Sequence, residues 1–305
     1  MAEDKEKLTK EKISEYFLNL QNEICNQLEI ADGEAKFIID EWIRPGGGGG
    51  KTKIIQNGKI IEKGGVGFSA VHGKSNPELL KQLNLTEESD FFATGVSIVI
   101  HPNNPFMPII HMNVRYFEMD NGIYWFGGGI DLTPHYVNEN DAKYFHNELK
   151  KVCDRFDINY YKKFKNWADD YFFIKHRNET RGIGGIFFDG LKEDVQKSKH
   201  DIFNFVMGVG ESFAPIYVYF MNKNVGLEYS EKEKKWQLIR RGRYAEFNLV
   251  WDRGTKFGLE SDGRTESILM SLPPQVEWHY NYKAIEGSVE EKTLLLLKKG
   301  INWCE

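Results

Sequence analysis

The sequence predicts an α+β fold, with a large antiparallel sheet flanked by helices in a single domain over residues 1–305. Strand-like segments follow one another across short turns, whereas helical segments fall in separate blocks. This arrangement favours antiparallel pairing over parallel βαβ winding. Because the sequence contains no internal repeat, linker or low-complexity tail, one domain is preferred over two.

The first elements are predicted to be a helix and a hairpin. Apolar residues recur every three or four positions from Ile13 to Leu28, and Gly33 interrupts the pattern. This spacing is typical of an amphipathic helix that ends at the glycine. The dipeptide Asn57-Gly58 then separates the strand-like runs at 53–56 and 59–62, which indicates a β-hairpin.

The rest of the chain alternates between strand and helix patterns. A capping box at Ser230 to Glu233 begins one helix. Apolar and polar residues alternate from Tyr244 to Asp252, which predicts strands from 244 to 282. The other predicted elements are strands from about 94 to 131 and helices near 139–156, 159–178, 194–222 and 289–297.

The polar face of the 244–252 alternation has two interpretations. It carries Glu246, Asn248 and Asp252 and leads into a turn. Such a face is either solvated or the floor of an anion-binding cavity, and alternation alone favours the solvated face.

Composition excludes several classes of function. Forty basic and 45 acidic residues give a formal net charge of −5, so no nucleic-acid partner is expected. The three scattered cysteines indicate a reducing compartment and no thiolate metal site. The charged start lacks an apolar targeting segment, and no apolar run is long enough for membrane insertion. A cytoplasmic protein is therefore expected.

Two glycine-rich stretches bear a partial likeness to nucleotide-binding motifs. The run 46–50 precedes Lys51-Thr52, but Pro45 occupies the position of the first glycine of a phosphate loop. The stretch 65–70 nearly fits a dinucleotide fingerprint, but it follows a hairpin and precedes no crossover helix. Both are predicted to be loops near a cavity, or turns.

Two neighbouring predicted strands place polar residues on one face. Ser97 and His101 share a face of the first strand, and His111, Asn113 and Arg115 share a face of the second. If the segment after His101 forms the hairpin loop, His101 pairs with His111 and Ser97 pairs with Arg115. The patch is either a solvent-facing strand pair or a wall that binds carboxylates, which arginine suits.

Long motifs recur in order from about residue 40 to 280. They are Trp42 to Pro45 with its glycine run, Gly64 to Val66, His111 to Glu118, Trp125 to Pro134, Lys175 to Asp189, Arg241 to Thr255 and Ser261 to Met270. In content and order they resemble the oxygen-dependent coproporphyrinogen III oxidases.

The resemblance implies a reaction in haem biosynthesis. Coproporphyrinogen III and two O₂ give protoporphyrinogen IX, two CO₂ and two H₂O₂, as two propionates become vinyl groups. O₂ is the co-substrate, and no organic cofactor is implied. The resemblance also implies a homodimer, with the segment 244–274 expected to contribute to the interface.

The resemblance supplies substrate-binding candidates as well. A flexible macrocycle with four carboxylates needs guanidinium groups around an apolar cavity. Arg115, Arg253 and Arg264 are the expected carboxylate clamps. The full set is Ser97, Asn113, Val114, Arg115, Arg253, Gly263 and Arg264.

A carboxylate is also needed, because the pyrrole must lose its N–H proton to react with O₂. By motif, Asp252 is the first candidate and Asp131 the second, while His111 is a candidate proton donor. Either aspartate could instead be a turn residue, since both stand in turn-like sequence.

Four histidines raise the question of a divalent metal. His101, His111, His146 and His176 match positions proposed as metal ligands in bacterial relatives, although the family's chemistry is commonly regarded as metal-free. No His-x-x-x-His spacing connects them, and core or surface placement is the alternative. Two rival functions remain: a histidine-liganded metal-dependent oxidase or hydrolase, and a non-catalytic tetrapyrrole carrier.

Overall fold

The computed structural model describes residues 7–75, 80, 89–260 and 263–305. The strands are β1 (Ile38–Ile43), β2 (Gly48–Gln56), β3 (Ile61–Lys74), β4 (Asp90–Pro102), β5 (Ile109–Met119), β6 (Tyr124–Thr133), β7 (Phe173–Ile174), β8 (Glu179–Thr180) and β9 (Gly185–Leu191). The helices are α1 (Lys10–Asp32), α2 (Glu139–Asp154), α3 (Tyr160–Tyr171), α4 (Lys199–Asn224), α5 (Glu231–Val250), α6 (Arg253–Glu260), α7 (Thr265–Leu269) and α8 (Val289–Leu296).

Seven of these strands form one sheet in the order β1-β2-β3-β4-β5-β6-β9, and β7 pairs separately with β8. Every neighbouring pair is antiparallel. The predicted α+β class, a large antiparallel sheet flanked by helices, is confirmed. The extent of one domain over residues 1–305 stays a prediction. Among the described helices, none combines the length and apolarity needed to cross a bilayer.

One face of the sheet packs against α1 and α4. Alternate residues of β4, namely Val96, Ile98 and Ile100, are fully buried in this core. The predicted apolar stripe from Ile13 to Leu28 faces the same core, where burial of apolar surface is the main stabilising term. The helix also ends as predicted, because Gly33 caps it with a left-handed φ of 80°.

The opposite face carries several glycines. Strand register places Gly65, Gly67, Gly95, Gly127 and Gly129 together on this side, which we call the cleft face. Met270 covers Gly65, and the Arg115 and Asp189 side chains lie over Gly127, whereas Gly67 and Gly95 are partly exposed. The absence of side chains at Gly67 and Gly95 lets another group approach the sheet closely.

The prediction that the glycine stretches are loops or turns is right for residues 46 and 47, which lie in the turn between β1 and β2, and wrong for the rest. Residues 48–50 lie inside β2, and residues 64–67 lie inside β3. A Cβ atom at Gly65 would overlap the Met270 sulfur. Glycine is therefore present there because another segment approaches the strand closely.

The predicted strands from 244 to 282 are also wrong within the described residues. The helix α5 starts at the predicted Ser230 capping box and continues for 20 residues. Its buried side chains recur every three or four positions, as at Arg240, Tyr244 and Phe247. The alternation in this stretch is therefore one part of a helical pattern, and a well-capped helix runs through it.

The hairpin predicted at Asn57-Gly58 is confirmed as the β2–β3 connection. Asn57 has a φ of 55°, and Gly58 N donates to Ile61 O at 2.8 Å. The turn therefore covers residues 58–61, most of which had been predicted to belong to the second strand of the hairpin, 59–62. The Asp32 carboxylate accepts three backbone N–H groups of this turn and so connects it to the end of α1.

β4 and β5 pair as predicted, but the register differs by two residues. Val99 rather than His101 lies opposite His111. The loop between the strands is centred one residue earlier because the Asn104 side chain holds it, accepting from Phe106 N at 2.9 Å and donating to the rest of the fold. A shift of two residues leaves each side chain on its predicted face.

The other predicted helices form near their predicted positions. Two differences, one in a helix and one in a strand, remain. The helix predicted over 159–178 ends at Tyr171, and the β7–β8 ribbon follows with Asn178 at a φ of 54°. The strand β9 was not predicted, although its apolar residues complete the sheet.

Candidate active site

The cleft face brings together three of the predicted substrate-binding side chains. Ser97 lies opposite Asn113, and Gly95 lies opposite Arg115, so the three polar groups occupy adjacent rows. All three are partly exposed. The Asn113 side-chain oxygen is buried and has no hydrogen-bond partner among the described residues. It is thus free to accept a bond from an N–H group of a bound molecule.

His111 lies on the same face and is held by Asp131, directly across the β5–β6 ladder. His111 Nδ1 is 2.7 Å from Asp131 Oδ1, with the imidazole 25% exposed and the carboxylate 2% exposed. Burial alone would raise the pKa of Asp131, but the Arg181 charge and the His111 hydrogen bond outweigh it and lower that pKa. The ionised carboxylate accepts a hydrogen bond from the Nδ1–H group, which leaves His111 Nε2 available to a ligand.

Arg181 is the buried partner of Asp131. Its Nη2 lies 2.8 and 2.7 Å from the two Asp131 oxygens, and its Nη1 donates to Asn248 Oδ1 at 2.7 Å. Two oxygens bonded by one guanidinium nitrogen fix the carboxylate in place.

Asp252 caps the N-terminus of α6. Its Oδ2 accepts from the backbone N and the hydroxyl of Thr255 at 2.7 and 2.8 Å, and its Oδ1 accepts from the Tyr171 hydroxyl at 2.8 Å. Asp252 is partly exposed. A carboxylate offers about four lone-pair sites. The residue is therefore a helix cap that can still accept one bond from a substrate.

An aromatic wall stands beside Asp252. The Tyr171 ring stacks on Phe187 of β9, with centroids 4.2 Å apart. Burial and the Asp252 charge raise the pKa of Tyr171, so its hydroxyl is a donor. The exposed Arg253 guanidinium lies 5.9 Å above the same ring. The wall supplies apolar surface and one exposed positive charge.

Arg115 is paired but not buried. Its Nη2 lies 2.8 Å from Asp189 Oδ2, with the two side chains 40% and 37% exposed. An ion pair this exposed contributes roughly 0–1 kcal/mol. A substrate carboxylate can therefore replace Asp189 at little cost.

Residues 263–272, which we call the covering segment, cross the cleft face at the β1–β3 side. Arg264 Nη2 is 2.5 Å from Asp40 Oδ2 on β1, and Gly263 N donates to Gly258 O at 2.8 Å. β1 is four strands from Arg115 on β5, which corresponds to roughly 19 Å at about 4.8 Å per strand. Arg264 and Arg115 are therefore not brought together. Further contacts of the segment are Ser267 with Thr52, Met270 with Gly65, Ser271 with His101 and Leu272 with Lys63.

Val114 does not line the cleft. Its side chain lies on the opposite face and is fully buried in the main core. Neighbouring residues of a strand point to opposite faces, so Val114 cannot lie on the face that carries Asn113 and Arg115. The Val114 side chain is therefore not available to a ligand in the cleft, and a substrate-binding role of this residue stays a prediction.

The four histidines predicted as metal ligands occupy separate sites. His101 is buried, with Nε2 2.9 Å from the Ser271 carbonyl oxygen. His146 is buried with each ring nitrogen 3.0 Å from a neighbour, the Tyr161 hydroxyl and the Ile183 carbonyl. Burial lowers the pKa of His146 to about 3.

His176 is at the surface, where it contacts Glu246 and accepts from Trp251 Nε1. In the part of the chain that the structure describes, no group of three or more His, Cys, Asp or Glu is placed to hold a metal ion. The histidines therefore do not fit the predicted metal site.

Sequence reasoning missed Arg181, Tyr171 and Asp189 as residues of this region. Arg181 and Asp189 stand at the two ends of a glycine-rich motif. The arginine next to this motif was the available signal in the sequence. If its guanidinium is buried in the fold, it requires a partner of opposite charge. Tyr171 gave no signal, since its contact with Asp252 joins residues far apart in sequence.

Comparison with known proteins extends over nearly the whole chain. Residues 12–303 match the family model described as Coproporphyrinogen III oxidase. A protein of Prochlorococcus marinus (strain AS9601) named oxygen-dependent coproporphyrinogen-III oxidase is 45% identical over 326 residues, covering 99% of this chain and 95% of that protein. The protein of the same name from strain NATL1A is 47% identical over 309 residues, covering 94% and 88%.

Proposed function

Because this chain belongs to the coproporphyrinogen III oxidase family, we propose that its cleft face binds coproporphyrinogen III and converts two of its propionates to vinyl groups. The predicted enzyme class and reaction, an oxidoreductase that decarboxylates this substrate in haem biosynthesis, are confirmed by the family and by the names of the relatives. The roles of individual residues are our proposal. The two rival functions have no support from the relatives.

The observation that carries the proposal is the glycine floor between ionisable walls. Gly67 and Gly95, which are partly exposed on the cleft face, give a surface on which part of a macrocycle can lie. Arg115 stands at one side and Arg253 near the aromatic wall. A tetracarboxylate needs both an apolar contact surface and separated positive charges.

In our proposal the polar residues divide between binding and chemistry. Arg115 and Arg253 bind propionates, while Ser97 and Asn113 supply hydrogen bonds. Arg264 binds a distant propionate only if it leaves Asp40. Their main contribution to rate is to hold the reacting propionate in place.

Asp252 is our proposed acceptor for the pyrrole N–H. O₂ then adds to the electron-rich ring, and the peroxide formed takes a hydrogen from the carbon next to the ring while CO₂ leaves. Each propionic acid chain, –CH₂CH₂COOH, plus O₂ gives –CH=CH₂, CO₂ and H₂O₂. His111 supplies or removes a proton through Nε2, and Asp131 orients it.

The proposal includes no flavin, haem, nicotinamide or metal ion. It is supported by the chemistry of the substrate, whose pyrrole ring is itself the electron donor to O₂. A homodimer in the cytoplasm is also part of the proposal. The three free cysteines, two of them buried with pKa values raised to about 12, suit a reducing compartment.

The decisive experiment is turnover of coproporphyrinogen III by protein stripped with a strong chelator, in air and without oxygen. We expect formation of protoporphyrinogen IX and CO₂ in air only, with one H₂O₂ for each CO₂. Loss of activity on chelation that one added metal restores would contradict the proposal. Substrate binding without oxygen uptake would favour the carrier. Sedimentation at micromolar concentration tests the dimer.

A further inference from the structure

We propose that Arg181 is a positioning residue for this reaction, acting through Asp131 to fix the orientation and the tautomer of His111. The inference rests on the proposed function, in which His111 acts on the bound substrate. Arg181 does not contact substrate itself, because its side chain is 2% exposed.

A continuous line of contacts leads from the interior to the cleft. Asn248 Oδ1 accepts from Arg181 Nη1, and Arg181 Nη2 bonds both oxygens of Asp131. Asp131 Oδ1 is also 2.7 Å from His111 Nδ1. Only His111, at the end of this line, is exposed to the cleft.

Aromatic packing holds both ends of the line. The Arg181 guanidinium lies 4.5 to 4.8 Å from the ring centroids of Phe172, Tyr244 and Phe247, at distances where a cation and a ring attract. Phe172 also contacts the His111 ring edge-on, with centroids 6.3 Å apart. A shift of the arginine would therefore disturb the histidine by two routes.

The arginine charge decides which nitrogen of His111 carries the proton. With Asp131 ionised, the carboxylate can only accept, so the proton of the neutral ring is on Nδ1. A protonated Asp131 would donate to Nδ1 and move the ring proton to Nε2. Nε2 is the ring nitrogen that is left for the substrate. This exchange would therefore change Nε2 from a hydrogen-bond acceptor to a donor.

A purely structural role for Arg181 predicts a different outcome. Removing one member of a buried ion pair destabilises the fold strongly, and that loss does not depend on His111. Arg181→Lys keeps the positive charge but not the planar guanidinium. The test is a double-mutant cycle of wild type, Arg181→Lys, His111→Gln and the double variant, with kcat and KM for coproporphyrinogen III in air.

We expect Arg181→Lys to lower kcat by at least about tenfold, with KM within about threefold of wild type. In the His111→Gln background the same change should lower kcat by less than about twofold, since residues that act through one another are not additive. Arg240→Lys is the matched control: Arg240 is 3% exposed and paired to Glu179 at 3.0 Å. It should cost stability and leave kcat unchanged.

A second measurement does not depend on turnover. In ¹⁵N-histidine NMR of the free enzyme, the His111 signal, assigned by its loss in His111→Gln, should show the proton on Nδ1. Arg181→Gln, which removes the positive charge that keeps Asp131 ionised, should give a mixture of tautomers. If Arg181→Lys does not fold, Asn248→Ala, which removes the Nη1 acceptor together with a 3.4 Å contact to Ser271 Oγ, takes its place in the kinetic test.

Equal losses of kcat in the two backgrounds, or an unchanged tautomer, would overturn the proposal. Full turnover by His111→Gln would overturn it as well, by removing the residue on which it acts. All three results differ from failure of the proposed function, in which wild type itself forms no protoporphyrinogen IX.

Discussion

The Tyr171 hydroxyl donates to Asp252 Oδ1 at 2.8 Å and so joins the end of α3 to the start of α6. The Thr255 backbone N–H occupies the other carboxylate oxygen. Asparagine is as good a helix cap as aspartate. The charge of Asp252 can therefore be removed while its position is kept.

Asp252→Asn should reduce kcat by about 10²–10⁴-fold, the usual loss when a general base is removed. The melting temperature should stay near that of wild type, because an asparagine side chain can still cap α6. Steady-state kinetics and thermal unfolding measure the two effects. Asp170→Asn is the control, since Asp170 is an exposed residue of α3 paired with Lys299.

The alternative assignment makes a different prediction. If Asp252→Asn kept near-normal kcat and Asp131→Asn abolished turnover with the fold intact, the roles of the two aspartates would be reversed. Should both variants remain active, the carboxylate mechanism is wrong.

Arg115→Ala should act mainly on KM. The Arg115 guanidinium is partly exposed, and its ion pair among the described residues is with Asp189, so it is available to a substrate carboxylate. Loss of a hydrogen bond to a charged group costs about 1.5–3 kcal/mol, which corresponds to a KM roughly 10–100-fold higher. Arg155→Ala, an exposed arginine at the end of α2, should leave KM unchanged. A fall in kcat at constant KM would contradict a binding role.

Gly67→Ala tests the glycine floor. A Cβ atom at Gly67 would lie 3.4 Å from Met270 Cε and 3.7 Å from Ser97 O, which are ordinary contacts. The fold should therefore be kept, whereas a methyl group on the floor should raise KM by at least about tenfold. Gly226→Ala, where no atom lies within 4 Å of the added Cβ, controls for the backbone effect. An unchanged KM for Gly67→Ala would mean that substrate does not lie on this surface.

Acid should destabilise the protein partly through His146. Its pKa is lowered to about 3 by burial, below the ordinary value of about 6.5. The unfolded chain therefore binds the proton first, and stability present above pH 6.5 is lost as the pH falls towards 3. Between pH 7.5 and 5.0 this group alone should reduce the free energy of unfolding by about 2 kcal/mol.

His146→Gln tests this in urea unfolding at both pH values. The variant should be less stable at pH 7.5, because the Ile183 carbonyl and the Tyr161 hydroxyl lose good partners. Its further loss at pH 5.0 should be smaller than that of wild type. An equal loss would assign the acid sensitivity to other groups, of which His101 and His135 are buried with lowered pKa values.

The elements predicted correctly from the sequence are those whose signals lie close together along the chain. The stripe of α1, the Gly33 cap, the hairpin at Asn57 and the Ser230 capping box depend on residues within a few positions of one another. The strand prediction after Tyr244 was wrong because a period of two and a period of 3.6 residues cannot be told apart over so short a segment. The helix cap that decides between them lies well upstream.

The candidate site was predictable where one strand pair supplied it. Ser97, Asn113 and Arg115 alternate within their strands, so their shared face followed from spacing. The line from His111 to Arg181 crosses from β5 to β6 and then to the β8 end, and no pattern within one segment reveals such contacts. The four histidines resembled a ligand set only as a collection of motif positions, and packing separates them.

The strand order bears on how the chain assembles. Each of the strands β1 to β5 pairs with the next strand along the chain, so this part of the sheet can grow by successive hairpins whose contacts are local and form quickly. The covering segment is synthesised after all seven strands of the sheet. During synthesis the seven-stranded sheet with its glycine floor is therefore expected to be complete while its cover does not yet exist. An uncovered sheet face invites aggregation, so nascent chains that stop before residue 263 should depend on chaperones more than the finished protein does.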